Sequence, residues 1–398
     1  MELSHDQQNA FDQIMEWYKN GITAELTLGG YAGTGKTTLI SYLRQFLGEK
    51  LKVKFMSFTG KATQVLRRKL NDNNILLRFP LDACSTIHSA IYHPVIDEDT
   101  DEIIEWTLNP TIDCDIIIVD ESSMISREIY EDLKSFDKPI LFIGDHGQLG
   151  PISDNFNLME NPNIKLEKIH RVAQNNPIIK LSEQVRNEGY IEYGVHGDSI
   201  AKVSKKDQLV TKFINNSGNF LETIILCGFN KTRVKVNKKI REHFKYSKLS
   251  NYPIQGERII CLRNNKNASF CPIFNGTQGT VKTCSSEGTF LSMEVEIDGE
   301  IDHYKGPVSF EAFNNIKPLM KDFPIRLSKE RRIKEKKEFM YSDYFDFGYC
   351  ASVHKSQGSE WKRVMVIEEP CQYWSGENWN RWLYTAITRS SEQLLIVR

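Results

Sequence analysis

The chain of 398 residues is short of several things that would place it in a class at once. It has no run of roughly eighteen apolar residues, so no membrane-spanning helix is expected. Its first residues, Met1-Glu2-Leu3-Ser4-His5-Asp6, offer neither a basic nor an apolar leader segment, and no signal peptide is expected. The eight cysteines are scattered, with no C-x-x-C pair and no Cys/His cluster at zinc spacing. That argues against a zinc module or a disulfide framework and for a reduced, cytoplasmic setting. Charge of one sign is also lacking: 51 Lys and Arg against 52 Asp and Glu leave a net −1. The balance does not advertise nucleic-acid binding, nor does it exclude it, because a basic groove can sit on a neutral protein. No internal repeat or low-complexity tract interrupts the chain, which is too long for one compact core.

The strongest positive signal lies at Gly30-Tyr31-Ala32-Gly33-Thr34-Gly35-Lys36-Thr37, which fits the phosphate-loop pattern without substitution and is followed by Thr38. Glu25 to Leu28 reads as the preceding strand and Leu39 to Leu43 as the following helix. Glycines let backbone N–H groups turn inward around a polyphosphate at the positive end of that helix. Lys36 would reach the β- and γ-phosphates, and the Thr37 hydroxyl would ligate Mg²⁺. The expected ligand is ATP with Mg²⁺.

Along the chain, 3–19 reads as a helix, Leu51 to Phe58 as a strand and Lys61 to Leu70 as a basic helix. Ser85-Thr86-Ile87-His88-Ser89 opens another helix, with Ser85 as its expected N-cap. Residues 91–111 alternate and turn acidic, which predicts a two-stranded hairpin. Ile116 to Val119 and Ile140 to Ile143 are continuous apolar runs of the buried parallel-strand kind. The alternation predicts a doubly wound α/β domain with its ligand at the carboxyl ends of the strands. Ile224 to Cys227, Val364 to Ile367 and Leu394 to Val397 repeat the strand signal, with a glycine-punctuated β segment over about 253–340 between them. The mixed charge run Lys329 to Lys337 reads as a solvated helix face or as a contact with phosphates.

Asp120-Glu121 directly follows an apolar strand. A carboxylate there can hold the Mg²⁺, and its neighbour can take a proton from attacking water. Gly144-Asp145-His146-Gly147-Gln148-Leu149 follows the next strand. There Gln148 can touch the γ-phosphate or its water, unless the segment is a plain turn stabilised by Asp145.

Taken in order, these segments resemble a superfamily 1 helicase of the RecD-like branch. The resemblance adds Thr59-Gly60-Lys61-Ala62, Ser85 to His88, Asp120 to Met124, Ala351-Ser352-Val353-His354-Lys355-Ser356-Gln357-Gly358 and Tyr384-Thr385-Ala386-Ile387-Thr388-Arg389. It implies two RecA-like motor domains, 1–165 and 166–398, with a small β-hairpin insertion and an SH3-like β insertion. It implies that Gln7 reads adenine, that Arg171 and Arg389 reach the γ-phosphate, and that Gln357 and Gly358 share that seam. It also implies that Thr59, Lys61, Ser85, His88, Ser352, His354 and Lys355 hold single-stranded DNA through its backbone. Ser57-Phe58-Thr59 and Gly150-Pro151 depart from the usual Ala-Pro-Thr and Pro-Pro, changes on the DNA side that leave the nucleotide side intact.

The expectation is therefore an ATP-dependent DNA helicase that moves on single-stranded DNA and opens duplex junctions; the resemblance implies 5′-to-3′ travel, since the ATP motifs themselves carry no polarity. It would work as a monomer in a bacterial cytoplasm, beside replication or single-strand-binding proteins. The competing expectations are a translocase that does not unwind and a nucleotide-gated single-strand-binding switch. Trp106 and the apolar residues of 91–111 are the expected wedge, or else a hairpin that covers a sheet edge.

Overall fold

The structure is a computed structural model. It describes residues 3–21, 24–72, 75, 82–96, 103–151, 156–169, 176–218, 220–263, 265, 273, 275–288, 290–298, 300, 302–316, 324–326, 339–370 and 376–398. The charge run at 329–337 and Arg171 lie outside these residues. The chain forms two compact units, residues 1–191 with 372–388, and residues 192–371 with 389–398.

In chain order the first unit reads α1 (His5–Asn20), β1 (Glu25–Gly30), α2 (Lys36–Phe46), β2 (Val53–Ser57), α3 (Gly60–Asp72), β3 (Ala83–Thr86), α4 (Ile87–Ile91), β4 (Tyr92–Ile96), β5 (Ile103–Leu108), β6 (Ile116–Asp120), α5 (Arg127–Lys134), β7 (Ile140–Gly144), β8 (Ile164–Leu166) and α6 (Pro177–Glu188). The second unit reads β9 (Gly194–His196), β10 (Ile200–Val203), α7 (Gln208–Asn215), β11 (Thr223–Cys227), α8 (Asn230–His243), β12 (Arg258–Cys261), β13 (Gln278–Glu287), β14 (Phe290–Ile297), β15 (His303–Val308), β16 (Pro324–Arg326), β17 (Phe339–Tyr341), β18 (Phe345–Phe347), β19 (Cys350–Ser352) and β20 (Trp361–Ile367). The chain then returns to the first unit as α9 (Glu377–Ile387) and ends in the second as β21 (Ser390–Val397).

The first unit is built on a parallel sheet of order β3-β2-β6-β7-β1-β8. Its central strands β6 and β7 are nearly continuous apolar runs because both faces are covered. Ile116, Ile118, Leu141 and Ile143 point into a core with α1, α2 and α3. Their neighbours Ile117, Val119, Ile140 and Phe142 point into a second core with α4 and α5. Since every strand runs the same way, the ends of β1, β6 and β7 open on one edge, with β7 between the other two.

The second unit has a sheet of order β19-β11-β20-β21-β10-β9, parallel except for the β9 edge. An antiparallel sheet of order β15-β14-β13-β12-β18 accompanies it, with its own core of Ile259, Val281, Val295 and Phe345. β4 and β5 pair antiparallel by themselves, with Pro94 opposite Trp106. Among the described residues no helix is long and apolar enough to cross a membrane.

Two expectations change. Ser85 is not the N-cap of α4. Its backbone is paired in β3 opposite Met56, and Thr86 Oγ1 accepts the Ser89 N–H instead. The division expected at 165/166 also differs from the compact units. Leu166 pairs with Gly30 inside the first sheet, and α6 packs on α9 there, with Asn380 Nδ2 donating to the Arg186 carbonyl at 3.1 Å.

A buried ion pair fastens α2 to the segment before β3. Arg44 Nε lies 3.0 Å from Asp82, with side chains 2% and 0% exposed, and its Nη1 donates to the Leu47 carbonyl. Removing one partner strands the other charge. Asp82→Ala is expected to lower the unfolding free energy by about 3–5 kcal/mol in urea titration, and Arg44→Met with Asp82→Ala to recover much of the loss.

Candidate active site

The phosphate loop is shaped by its own backbone. Gly33 and Gly35 have φ of 81° and 77°, a region that side chains with a Cβ rarely occupy. At Gly30 a Cβ would come within 2.7 Å of Thr34 Oγ1. Helix α2 starts at Lys36 with no side chain capping its first turn, which leaves the amides of Lys36, Thr37 and Thr38 at a positive helix end. Lys36 Nζ folds back on the loop, donating to the carbonyls of Gly30 at 2.6 Å and Tyr31 at 3.1 Å. Gln7 is buried and braces the loop from α1. Its Oε1 accepts the Ser4 N–H in a capping box, and Nε2 donates to the Thr34 carbonyl at 3.3 Å. Both ends of that amide are therefore engaged within the protein.

Asp120 ends β6 and accepts the Glu121 N–H at 2.9 Å. Burial raises its pKa, against the pull of that N–H and of Lys36. Glu121 takes a left-handed conformation, φ 56°, and turns the chain out of the strand. Such strain concentrates at functional positions.

The loop after β7 is held around Asp145. Its carboxylate accepts Gly147 N–H at 2.9 Å and Gln148 Nε2 at 3.3 Å. Gln148 is buried, and its Oε1 has no hydrogen-bond partner among the described residues. Sequence reasoning gave no role to the aromatic group beside it. Tyr31 packs against His146 at a tilt of 47° with ring centroids 3.9 Å apart, and the Arg186 guanidinium lies over the Tyr31 ring at 3.5 Å. No motif flags Tyr31, His146 or Arg186 as a set; only the fold assembles them.

The residues expected on a DNA track fall into both units. Thr59 Oγ1 accepts the Ala62 N–H at the start of α3, whose first turn contains Lys61. Ser85 lies in β3, and His88 is exposed on α4. In the second unit Ser352 Oγ accepts the Lys355 N–H at 3.4 Å. Burial lowers the pKa of His354, and burial with the nearby Arg233 lowers that of Lys355. Gln357 is buried, Gly358 has φ 71°, and the Arg389 guanidinium donates to the Ser359 carbonyl at 3.2 Å within the same unit.

The model of the AAA domain family matches residues 2–205, and that of the UvrD-like helicase C-terminal domain matches 347–397. The ATP-dependent DNA helicase dda of Enterobacteria phage T4 is 24% identical, over 100% of this chain and 99% of its own length. The ATP-dependent RecD2 DNA helicase of Deinococcus radiodurans is 25% identical, over 98% of this chain and 48% of its own. Among solved structures, the Pif1 helicase from Bacteroides in complex with ADP-AlF3 and ssDNA superimposes with a TM-score of 0.56 at 16% identity. That match covers 100% of this chain and 92% of the Pif1 chain, and it shows a shared fold.

Burial of His146 couples the stability of the fold to pH. Both ring nitrogens are buried without hydrogen-bond partners among the described residues. Burial pushes its pKa down from 6.5 to about 4, with Lys36, Lys165 and Arg186 adding to the effect and Asp145 opposing it. The folded state thus holds the ring neutral, and stability is complete above pH 6.5 and lost as pH falls toward 4. Between pH 7 and 5 the wild-type protein is expected to lose on the order of 1 kcal/mol more than His146→Asn, after allowance for the ring's partial exposure. Denaturant midpoints at the two pH values measure the difference.

Proposed function

We propose that this chain, which belongs to the superfamily 1 helicases through the AAA domain family spanning its first half, is an ATP-driven motor that moves 5′ to 3′ on single-stranded DNA and separates duplex strands. The observation that carries the reading is the uncapped, glycine-shaped start of α2 on the same sheet edge as the carboxylates that end β6.

On this reading the first-turn amides of α2 and Lys36 bind the β- and γ-phosphates. The Lys36 ammonium leaves the carbonyls of Gly30 and Tyr31 to do so, exchanging neutral acceptors for charged ones. Thr37 and Asp120 supply hard oxygen ligands of the kind Mg²⁺ takes together with substrate phosphates. The ion's contribution, when bound, is to neutralise charge on the departing phosphate. Glu121 accepts a proton from the attacking water, and Gln148 orients that water through its unpaired Oε1. By resemblance Arg171, Arg389, Gln357 and Gly358 serve the γ-phosphate, and Gln7 serves the base. Thr59, Lys61, Ser85, His88, Ser352, His354 and Lys355 follow the DNA backbone, a contact that carries affinity without sequence preference.

Lys36→Ala is expected to abolish phosphate release while basal binding of a fluorescent single strand persists. Glu121→Gln should bind a nucleotide analogue normally and lose turnover by a factor of about 10² or more. Wild-type turnover in Glu121→Gln would remove it as the base, and absence of DNA-stimulated phosphate release from the unaltered protein would favour a binding switch.

Duplexes bearing one single-stranded tail test direction and wedge together. Unwinding is expected from a 5′ tail and not from a 3′ tail. Replacing 95–107, the heart of the β4–β5 hairpin, with a short Gly-Ser turn should spare DNA-stimulated ATP hydrolysis and cut strand separation sharply. Undiminished unwinding after that replacement would move the wedge elsewhere.

A further inference from the structure

Helix α9 reaches the hydrolytic residues through one hydroxyl. Tyr384 Oη accepts the Ala32 N–H of the phosphate loop at 2.9 Å and donates to Asp145 Oδ2 at 2.8 Å. The same carboxylate oxygen accepts Nε2 of Gln148. On the next residue Thr385 Oγ1 accepts the Leu149 N–H at 3.0 Å. Tyr384 is 0% exposed, Asp145 1% and Gln148 4%. In so dry a setting an unmade hydrogen bond is costly, so the chain of donors and acceptors is strongly specified.

The proton inventory leaves one arrangement. The phenol has a single proton, and because its oxygen already receives the Ala32 N–H, that proton goes to Asp145. An ionised carboxylate only accepts, so Gln148 must present its NH₂ to Asp145. Its carbonyl Oε1 then faces away, and it has no partner among the described residues. A side-chain amide is otherwise free to flip, and flipped it would offer N–H groups where an acceptor is needed for a water proton. Packing reinforces the arrangement: a Cβ on Gly147 would come within 3.1 Å of both the Tyr31 and Tyr384 rings. The phenol therefore sits against the loop that holds Gln148 as well as against the phosphate loop.

We infer that Tyr384 is a positioning residue for ATP hydrolysis: its hydroxyl ties Ala32 of the phosphate loop to Asp145, and through Asp145 it sets the orientation of the Gln148 amide. The inference rests on the ATPase reading above and adds a residue whose effect passes through another. Tyr384 touches neither substrate nor water in this role.

The test uses the full chain. Tyr384→Phe keeps the ring and deletes the hydroxyl. In DNA-stimulated phosphate release its kcat is expected to fall about tenfold while KM for ATP stays within about twofold, since the phosphate cradle keeps its own amides. The decisive variant is Tyr384→Phe combined with Gln148→Ala. If Tyr384 acts through Gln148, the double variant turns over at the rate of Gln148→Ala alone. Losses that multiply overturn the inference, as does a Tyr384→Phe protein with unchanged kcat or with a raised KM only. Should Tyr384→Phe fail to fold, Asp145→Asn answers the same question, because an amide there no longer dictates which end of Gln148 faces it. Its defect should likewise vanish in the Gln148→Ala background, and persistence of the defect counts against the inference. An unaltered protein that releases no phosphate overturns the ATPase reading itself, whereas normal turnover with an indifferent Tyr384→Phe overturns this inference alone.

Discussion

A carboxylate taken out of water needs donors, and the demand of Asp145 organises the edge of the first sheet. The group is 1% exposed and accepts from Gly147 N–H, from Gln148 Nε2 and from the Tyr384 hydroxyl. Each donor comes with a structural consequence. Gly147 turns the chain after β7, Gln148 is held by one end of its amide, and Tyr384 brings α9 and the Ala32 amide into the same network. Removing the carboxylate would leave all three donors without this acceptor. An apolar residue at this position would pack, but it would leave a phenol, an amide and a backbone N–H without acceptors.

The parallel sheet supplies the second requirement, which is register. Gly29 pairs with Gly144, and Val119 with Phe142, so the loop after β1, the carboxylates after β6 and the turn after β7 start at nearly one level. Neighbouring strands lie about 4.8 Å apart, which sets the scale of the site to roughly two strand spacings. A triphosphate spans that distance. The same sheet requires cover on both faces, and the two cores on either side meet that need, so strand geometry and site geometry have a common cause.

How much of this was legible in the sequence depends on how local each signal is. The glycine loop and the apolar runs ending in Asp120-Glu121 and Gly144-Asp145 carry their pattern within ten or so residues, and each lies where the pattern predicted. Ser85 was misread as a cap because serine suits an N-cap and a strand end equally well in isolation. Pairing with β2 decided between them, and pairing is not local. Tyr384 sat inside a recognised motif without a role, since its partners Ala32 and Asp145 are hundreds of residues away in the chain and meet it only in the fold. Tyr31, His146 and Arg186 fall in the same class.

Charge was the least legible feature, and the reason is visible inside the molecule. Arg44–Asp82, Lys202–Glu368, Arg233–Asp346, Arg241–Glu257 and Arg258–Asp298 are ion pairs with the basic side chain at most 5% exposed. Every such pair adds equally to both columns of a composition count and nothing to the field at the surface. Buried pairs persist when their geometry and hydrogen bonding are good enough to offset desolvation. Arg241 shows what this takes, with Glu257 on one side and the carbonyls of Ser250, Asn251 and Tyr252 around its remaining N–H groups. The net charge of −1 therefore says nothing of where on the molecule the remaining charges lie. Where polar groups sit at strand ends is set instead by local turns. Thr59 and Ser352 illustrate the pattern, since in each a hydroxyl after a parallel strand accepts the N–H three residues on and so fixes the turn that carries the next polar group.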